Sequence, residues 1–321
     1  MEQRKLIKLG NSSFAIALPK DWVDKSGLKK GENVFLEQNG NGEITLWSKP
    51  KVISDDRILE INASGKNAQA IKKEIISAYT NGSNVIAING SIEKKEVKEL
   101  KTFVKDLMSF EVIEESPGRI VIKDLLNMEE ININSFIKRI DNNIKEMFSV
   151  ISRGLEKGSL TKKDSEEMEE VDRDTTKFWF LISRLFFKGI DNPSIMTLLK
   201  RDGLEFFSEW WLAYNLEHIG DQIKEISKLL STSEVEKADR KALSELFSSI
   251  TDIYHTSIQS FNKKDKNLAI ETAIKGKEIQ KECDQLNQSK SPVVSKLALF
   301  FKELETNSYQ NLKNVMYSKI K

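Results

Sequence analysis

The chain has a single cysteine, Cys283, and only two histidines, His218 and His255, in 321 residues. A lone cysteine excludes an internal disulfide framework and fits a reducing compartment. There is no glycine-rich phosphate loop and no nucleophile–histidine pattern, so no enzyme is expected. No apolar run approaches the roughly 20 residues needed to span a bilayer. The opening MEQRKLIKLG lacks the apolar core of a secretion signal. The expectation is a soluble, cytoplasmic protein without membrane insertion. An excess of charge of one sign is also missing: the net charge is +1, so any binding to nucleic acid has to come from a local patch.

What is present is a multidomain α+β pattern in three parts, 1–52, 53–127 and 128–321. The first part follows strand logic. Leu6, Ile7 and Leu9, then Phe14, Ile16 and Leu18, form short apolar runs around Gly10-Asn11-Ser12-Ser13, and Pro19 stops the second. Asp21 to Ser26 predicts one helical turn closed by Gly27. A turn at Lys29-Lys30-Gly31-Glu32 follows, then strands Val34–Glu37 and Ile44–Trp47 joined by a hairpin at Asn39-Gly40-Asn41-Gly42. Such short strands bury little surface alone, so a second copy is expected to complete the core. The middle part reads β-α-β-α-β-β, with a hairpin at Ser116-Pro117-Gly118, and carries no chemistry of its own.

From Ile131 onward the pattern is helical. The breaks predict six helices at about 133–156, 162–188, 194–230 with a break near Gly203, 234–262, 266–288 and 292–319. They divide into two repeats, about 131–230 and 234–321. FIKRIDNNIKEMF answers to LSELFSSITDIYH, EEMEEVDRDTTKFWF to AIKGKEIQKECDQL, and AYNLEHIGDQIKEIS to FKELETNSYQNLKNV. Short connections predict a packed bundle, three helices to a repeat.

Arg4-Lys5, Leu9-Gly10, Ile16 to Pro19, Gly27-Leu28-Lys29-Lys30-Gly31 and Gly42-Glu43-Ile44 resemble the SpoVT-AbrB swapped-hairpin DNA-binding domains. That resemblance implies two chains exchanging hairpins to form one barrel, a homodimer that presents basic side chains to DNA. It assigns DNA contact to Arg4, Lys5, Lys8 and Lys20, and to Asn11, which stands where the family usually has a basic residue. Cations on a two-fold surface neutralise phosphates and release counterions.

Leu216-Glu217-His218-Ile219-Gly220-Asp221 resembles the PhoU family of phosphate-uptake regulators, whose domain is a pair of three-helix bundles. In that family acidic pairs on successive helices hold iron or zinc, so a divalent, iron or zinc ion is implied here. Glu217 and Asp221, four apart, share one helix face. The resemblance adds Asp172, Asp284 and Glu305 as ligands, with Thr176, Gln280 and Tyr309 where further carboxylates would stand. The alternative for Glu217 and Asp221 is a solvated helix face partnered by Lys224. Both histidines read as packed or surface residues.

Phe178, Trp179, Phe180, Phe186 and Phe187, with Phe206, Phe207, Trp210 and Trp211, make an aromatic middle. Helical spacing favours core packing, yet adjacent residues point in different directions, so part of the cluster is available for a contact surface. Together the two resemblances imply a DNA-binding regulator of phosphate uptake and phosphate homeostasis. The alternative is an adaptor that binds a phosphate transporter or signalling protein, its N-terminal part serving only dimerisation.

Overall fold

The computed structural model describes residues 3–38, 42, 44–48 and 58–318. The chain divides into two compact units, Met1–Asp55 and Asp56–Lys321.

The first unit is two hairpins and a helical turn. β1 (Ile7–Leu9) pairs antiparallel with β2 (Ser13–Ala15), with Ile7 opposite Ala15. The tight reversal between them uses Gly10 at φ +67°, a left-handed backbone that glycine adopts without strain. α1 (Lys20–Lys25) follows Pro19, which stands at the N-cap position without a side-chain cap bond, and β3 (Phe35–Gln38) pairs with β4 (Ile44–Trp47). The expected turn residues 39–41 lie outside the described residues. Among the described residues of this unit none is buried. Leu6, Phe14, Leu36 and Ile44 are all more than half exposed.

The second unit begins with a small mixed module. β5 (Ile58–Asn62), α2 (Ala68–Thr80), β6 (Val85–Asn89), α3 (Lys94–Val104), β7 (Phe110–Ser116) and β8 (Arg119–Asp124) follow the expected order. The sheet runs β5-β6-β8-β7; β5 and β6 are parallel and the other pairs antiparallel. Alternate residues Ile86 and Ile88 of β6 and Ile120 and Ile122 of β8 pack with Ile71, Ile75, Leu100 and Val104 of the two helices.

Helices α4 (Ile133–Lys157), α5 (Lys162–Asp191), α6 (Pro193–Leu198), α7 (Gly203–Thr232), α8 (Lys237–Lys263), α9 (Lys266–Leu286) and α10 (Pro292–Tyr317) complete the unit. α4, α5 and α7 pack on one another, as do α8, α9 and α10; across the two sets α4 meets α8 and α7 meets α10. Each helix of that seam thus packs on its own counterpart, the arrangement a two-fold relation between repeats produces. The third expected helix is two. Lys200 takes φ +54°, and Asp202 caps the restart by accepting the Glu205 N–H at 2.8 Å. Gly189 does not end α5; the lack of a Cβ there makes room for Met196 of α6. Among the described residues no helix is long and apolar enough to cross a membrane.

Candidate functional site

Two places carry the residues singled out in the sequence, one in each unit. In the first, Arg4 and Lys5 precede β1, Lys8 lies on it, Asn11 is in the turn and Lys20 opens α1. All five are exposed. Strand alternation sets Lys8 on the face opposite Ile7 and Leu9, and its cross-strand neighbour is Phe14. Lys5, Lys8 and Lys20 make no ion pair among the described residues. What this hairpin surface offers is solvated positive charge beside uncovered apolar side chains.

In the second unit Asp172 on α5 meets Glu217, Asp221 and Lys224 on α7. The Lys224 ammonium donates to Asp172 Oδ2 and to Asp221 Oδ1, both at 2.5 Å. Asp172 is buried and Asp221 is half exposed. Burial alone would pull the Lys224 ammonium down; its two carboxylate partners more than reverse that and hold it above the ordinary lysine range. Burial pushes the Asp172 carboxyl up, against the pull of Lys224. Glu217 is pushed up to about 7 by burial first and by Asp221 next, while His218 pulls the other way. The His218 Nδ1 lies 3.0 Å from Glu217 Oε2, and its ring packs on Tyr214 at 4.1 Å. Gly220 lies where α4 and α5 come close to α7: an added Cβ would sit 3.1 Å from Ile144 and 3.3 Å from Asp172 Oδ1.

The second repeat answers with a different set. Glu305 on α10 is buried against Gly276 of α9 and accepts from the Gln280 amide of that helix. Asp284 pairs with Lys302 at 2.6 Å. Thr176 donates to the Asp172 carbonyl, and the Tyr309 ring faces Lys313. The structure therefore gathers Asp172, Glu217 and Asp221 at one level and keeps Asp284 and Glu305 on separate partners. A hard divalent ion needs several oxygens to itself; here both aspartates of the first set already hold an ammonium. These donors do not fit a metal ion as they are bonded. Among the described residues no group of three or more His, Cys, Asp or Glu side chains is arranged to hold one. Cys283 is buried, its thiol pushed up to about 12 by burial and by Glu305, which removes it as a nucleophile.

Asp172 and Lys224 also border a groove of about 350 Å³ between α5, α7 and the end of α3, lined as well by Phe103, Phe180, Arg173 and Lys177. On the other flank of α7 runs an aromatic strip. Phe206 is wholly buried, whereas Phe207 and Tyr214 are exposed beyond a third. Trp210 lies 5.1 Å from Phe186 and 6.0 Å from Tyr214, Trp211 packs 5.9 Å from Phe207, and Trp210 donates its indole N–H to Ser183. The cluster is thus core on one side and surface on the other.

One group of consequence escapes the sequence reading. Arg184 of α5 is fully buried and ties the helices to the small module. It donates to the Tyr79 carbonyl at 2.6 Å and to Asp124 at 2.5 Å, with its guanidinium 5.0 Å from the Tyr79 ring and 4.8 Å from Phe110. Burial works to raise the Asp124 carboxyl, but Arg184 overcomes it and holds the group below the usual carboxylate range. The signal was there: one arginine inside the aromatic and aliphatic run FWFLISRLFF has to find its counter-charge within the protein.

Comparison with known proteins gives one finding. Residues 7–55 match the family model of the antidote-toxin recognition MazE, bacterial antitoxin. No curated protein matches the chain, and no solved structure does. The chain therefore has an N-terminal unit similar to AbrB/MazE-type swapped-hairpin domains, followed by a small mixed module and a many-helix bundle.

Proposed function

We propose that this chain is a DNA-binding regulator of phosphate uptake, acting as a homodimer through its N-terminal unit, with the paired three-helix repeats as a PhoU-like sensor. One observation carries the reading. A unit similar to antitoxin-type hairpin domains bares its apolar side chains and its cations together. Phe14 and Leu36 are each 62% exposed, and Lys8 lies in the same short hairpin as Phe14. Pairing with a second copy would cover the apolar faces and double the basic surface, which suits a two-fold DNA site. The phosphate assignment rests on the Leu216–Asp221 motif and on the helix order of the two repeats.

The test is binding of the full-length protein to DNA from phosphate-transport promoters across a salt series. An Arg4→Ala/Lys5→Ala/Lys8→Ala variant runs beside it. Specific binding should weaken steeply with salt. The variant should lose it, or show a slope shallower by about 0.9 for each phosphate contact removed. Absence of binding by the intact dimer at low salt refutes the DNA reading.

A second reading has its own observation, the half-exposed strip of Phe187, Phe207, Trp211 and Tyr214. It makes the bundle an adaptor for a phosphate transporter or signalling protein. Co-purification with such a partner, lost in Trp211→Ala at unchanged helicity and without DNA affinity, would favour it.

A further inference from the structure

We propose that Lys224 is a resident cation. Its ammonium does at the Asp172–Glu217–Asp221 cluster what a bound metal ion would otherwise have to do, so this bundle is held together without metal and becomes a metal site only when that ammonium is removed. The geometry is specific. A cation between α5 and α7 has to bridge Asp172 on one helix and Asp221 on the other, and Lys224 Nζ bonds both at 2.5 Å. An ammonium and a divalent ion cannot occupy that position together. The side chain reaches it from one helical turn beyond Asp221, a spacing at which neighbours on a helix meet.

The second repeat supports the reading independently. Between α9 and α10, Lys302 neutralises Asp284 at 2.6 Å, and the Gln280 amide donates to Glu305. Again a lysine of the third helix takes an aspartate of the second. The remaining carboxylate meets a neutral donor where another carboxylate would have required a cation between them. Both repeats thus solve the acidic-pair problem with nitrogen donors of their own.

One atom shows what removal of Lys224 exposes. Asp172 Oδ1 is buried with no hydrogen-bond partner. Without the ammonium its other oxygen loses its partner as well, beside Glu217 and Asp221. Freed of the ammonium they share, Asp172 and Asp221 have to turn toward Glu217, which keeps His218 as its partner, to make an oxygen site for a hard divalent cation such as Mn²⁺.

The experiment uses the full chain, native and as Lys224→Met and Lys224→Arg. Metal content is read by elemental analysis and thermal melting is followed with EDTA and with Mn²⁺. Native protein should carry far less than one metal per chain and melt alike with and without chelator. Lys224→Met should melt lower and recover by about 5 °C or more at saturating Mn²⁺. Lys224→Arg, which keeps the charge, should remain insensitive to both. Stoichiometric metal in the native chain with a chelator-dependent melt overturns the proposal, as does a folded Lys224→Met that Mn²⁺ leaves unmoved. Should Lys224→Met fail to fold, the native chain decides alone: chelator insensitivity supports the proposal and sensitivity overturns it.

Discussion

Replacing Arg184 by Met should be among the more damaging single changes in the second unit. The methionine keeps much of the stem's volume, so the loss is mainly polar. Asp124 forfeits its 2.5 Å partner while remaining 6% exposed, and the Tyr79 carbonyl loses its donor. Breaking a buried pair by removing one member costs about 3–5 kcal/mol. Lys188, 3.5 Å from the same Asp124 oxygen, retains part of the counter-charge. Ser109 and the Leu126 N–H still hold the other oxygen. The expected loss is therefore near the lower end, about 3 kcal/mol, which in a unit of this size lowers the melting midpoint by roughly 6–10 °C. Urea melts of Arg184→Met, Asp124→Asn and the double variant should give a double loss smaller than the sum by at least ~1 kcal/mol. Because Asp124 is held below its ordinary range, its contribution is present above the unfolded carboxylate value and is lost as pH falls through the lower folded one. The gap between wild type and Asp124→Asn should close in acid. Arg184→Met within ~0.5 kcal/mol of wild type, or strict additivity with Asp124→Asn, would refute the reasoning.

Glu217→Gln should change the pH profile. Glu217 is raised from 4.5 to about 7, so the folded chain keeps a proton there that the unfolded chain releases. Wild type then loses stability as pH rises between those values, and the variant does not; above pH 8 it should be the more stable by on the order of 2–3 kcal/mol in urea melts. Gly276→Ala should be clearly destabilising, because its Cβ would overlap the carboxylate of Glu305, which at 1% exposure has nowhere to move. Gly220→Ala should be near neutral in the same melts, its tight contacts being offset by the ~1 kcal/mol that alanine gains over glycine in a helix. Phe14→Asp, at a position 62% exposed in one copy, should shift sedimentation from two chains to one if the N-terminal unit pairs; an unchanged dimer would locate the interface elsewhere.

Much of the fold was legible because its signals are local. Helix ends follow from caps such as Asn132, Thr161 and Asp265, each of which accepts a backbone N–H near the start of its helix. The β-α-β-α-β-β order follows from alternating apolar residues bounded by turn glycines such as Gly82, Gly90 and Gly118, all at positive φ. The division of the third expected helix was signalled only by Gly203, whereas the break is made by Lys200 and the Asp202 cap. The acidic face was legible in part: spacing joined Glu217 to Asp221, but Asp172 lies 45 residues before Glu217 and only packing brings it there. Lys224 could be named as a partner of that face from spacing alone. Its bond across to α5 could not, since a single helix does not say which neighbour it will meet. Arg184 escaped for the same reason, its counter-charge lying in another module.

α5 carries both of these internal charge sites, and its continuity allows a last test of whether they communicate. The helix runs unbroken over 30 residues, about 45 Å, and the 12 residues from Asp172 to Arg184 span about 18 Å of it. Asp172 faces α7 and Arg184 faces the small module, with no bonded partner in common. Sites that far apart without shared partners usually add within ~0.5 kcal/mol. Arg184→Met and Lys224→Met should therefore add when melted without metal. Each removes a cation that fixes α5 against a different neighbour, and a helix held by many buried apolar residues between them absorbs either loss locally. Coupling above ~1 kcal/mol in the double variant would mean instead that α5 shifts as a rod. The groove beside Asp172 would then be mechanically linked to the seat of the small module, as a sensor that relays its state through this helix requires.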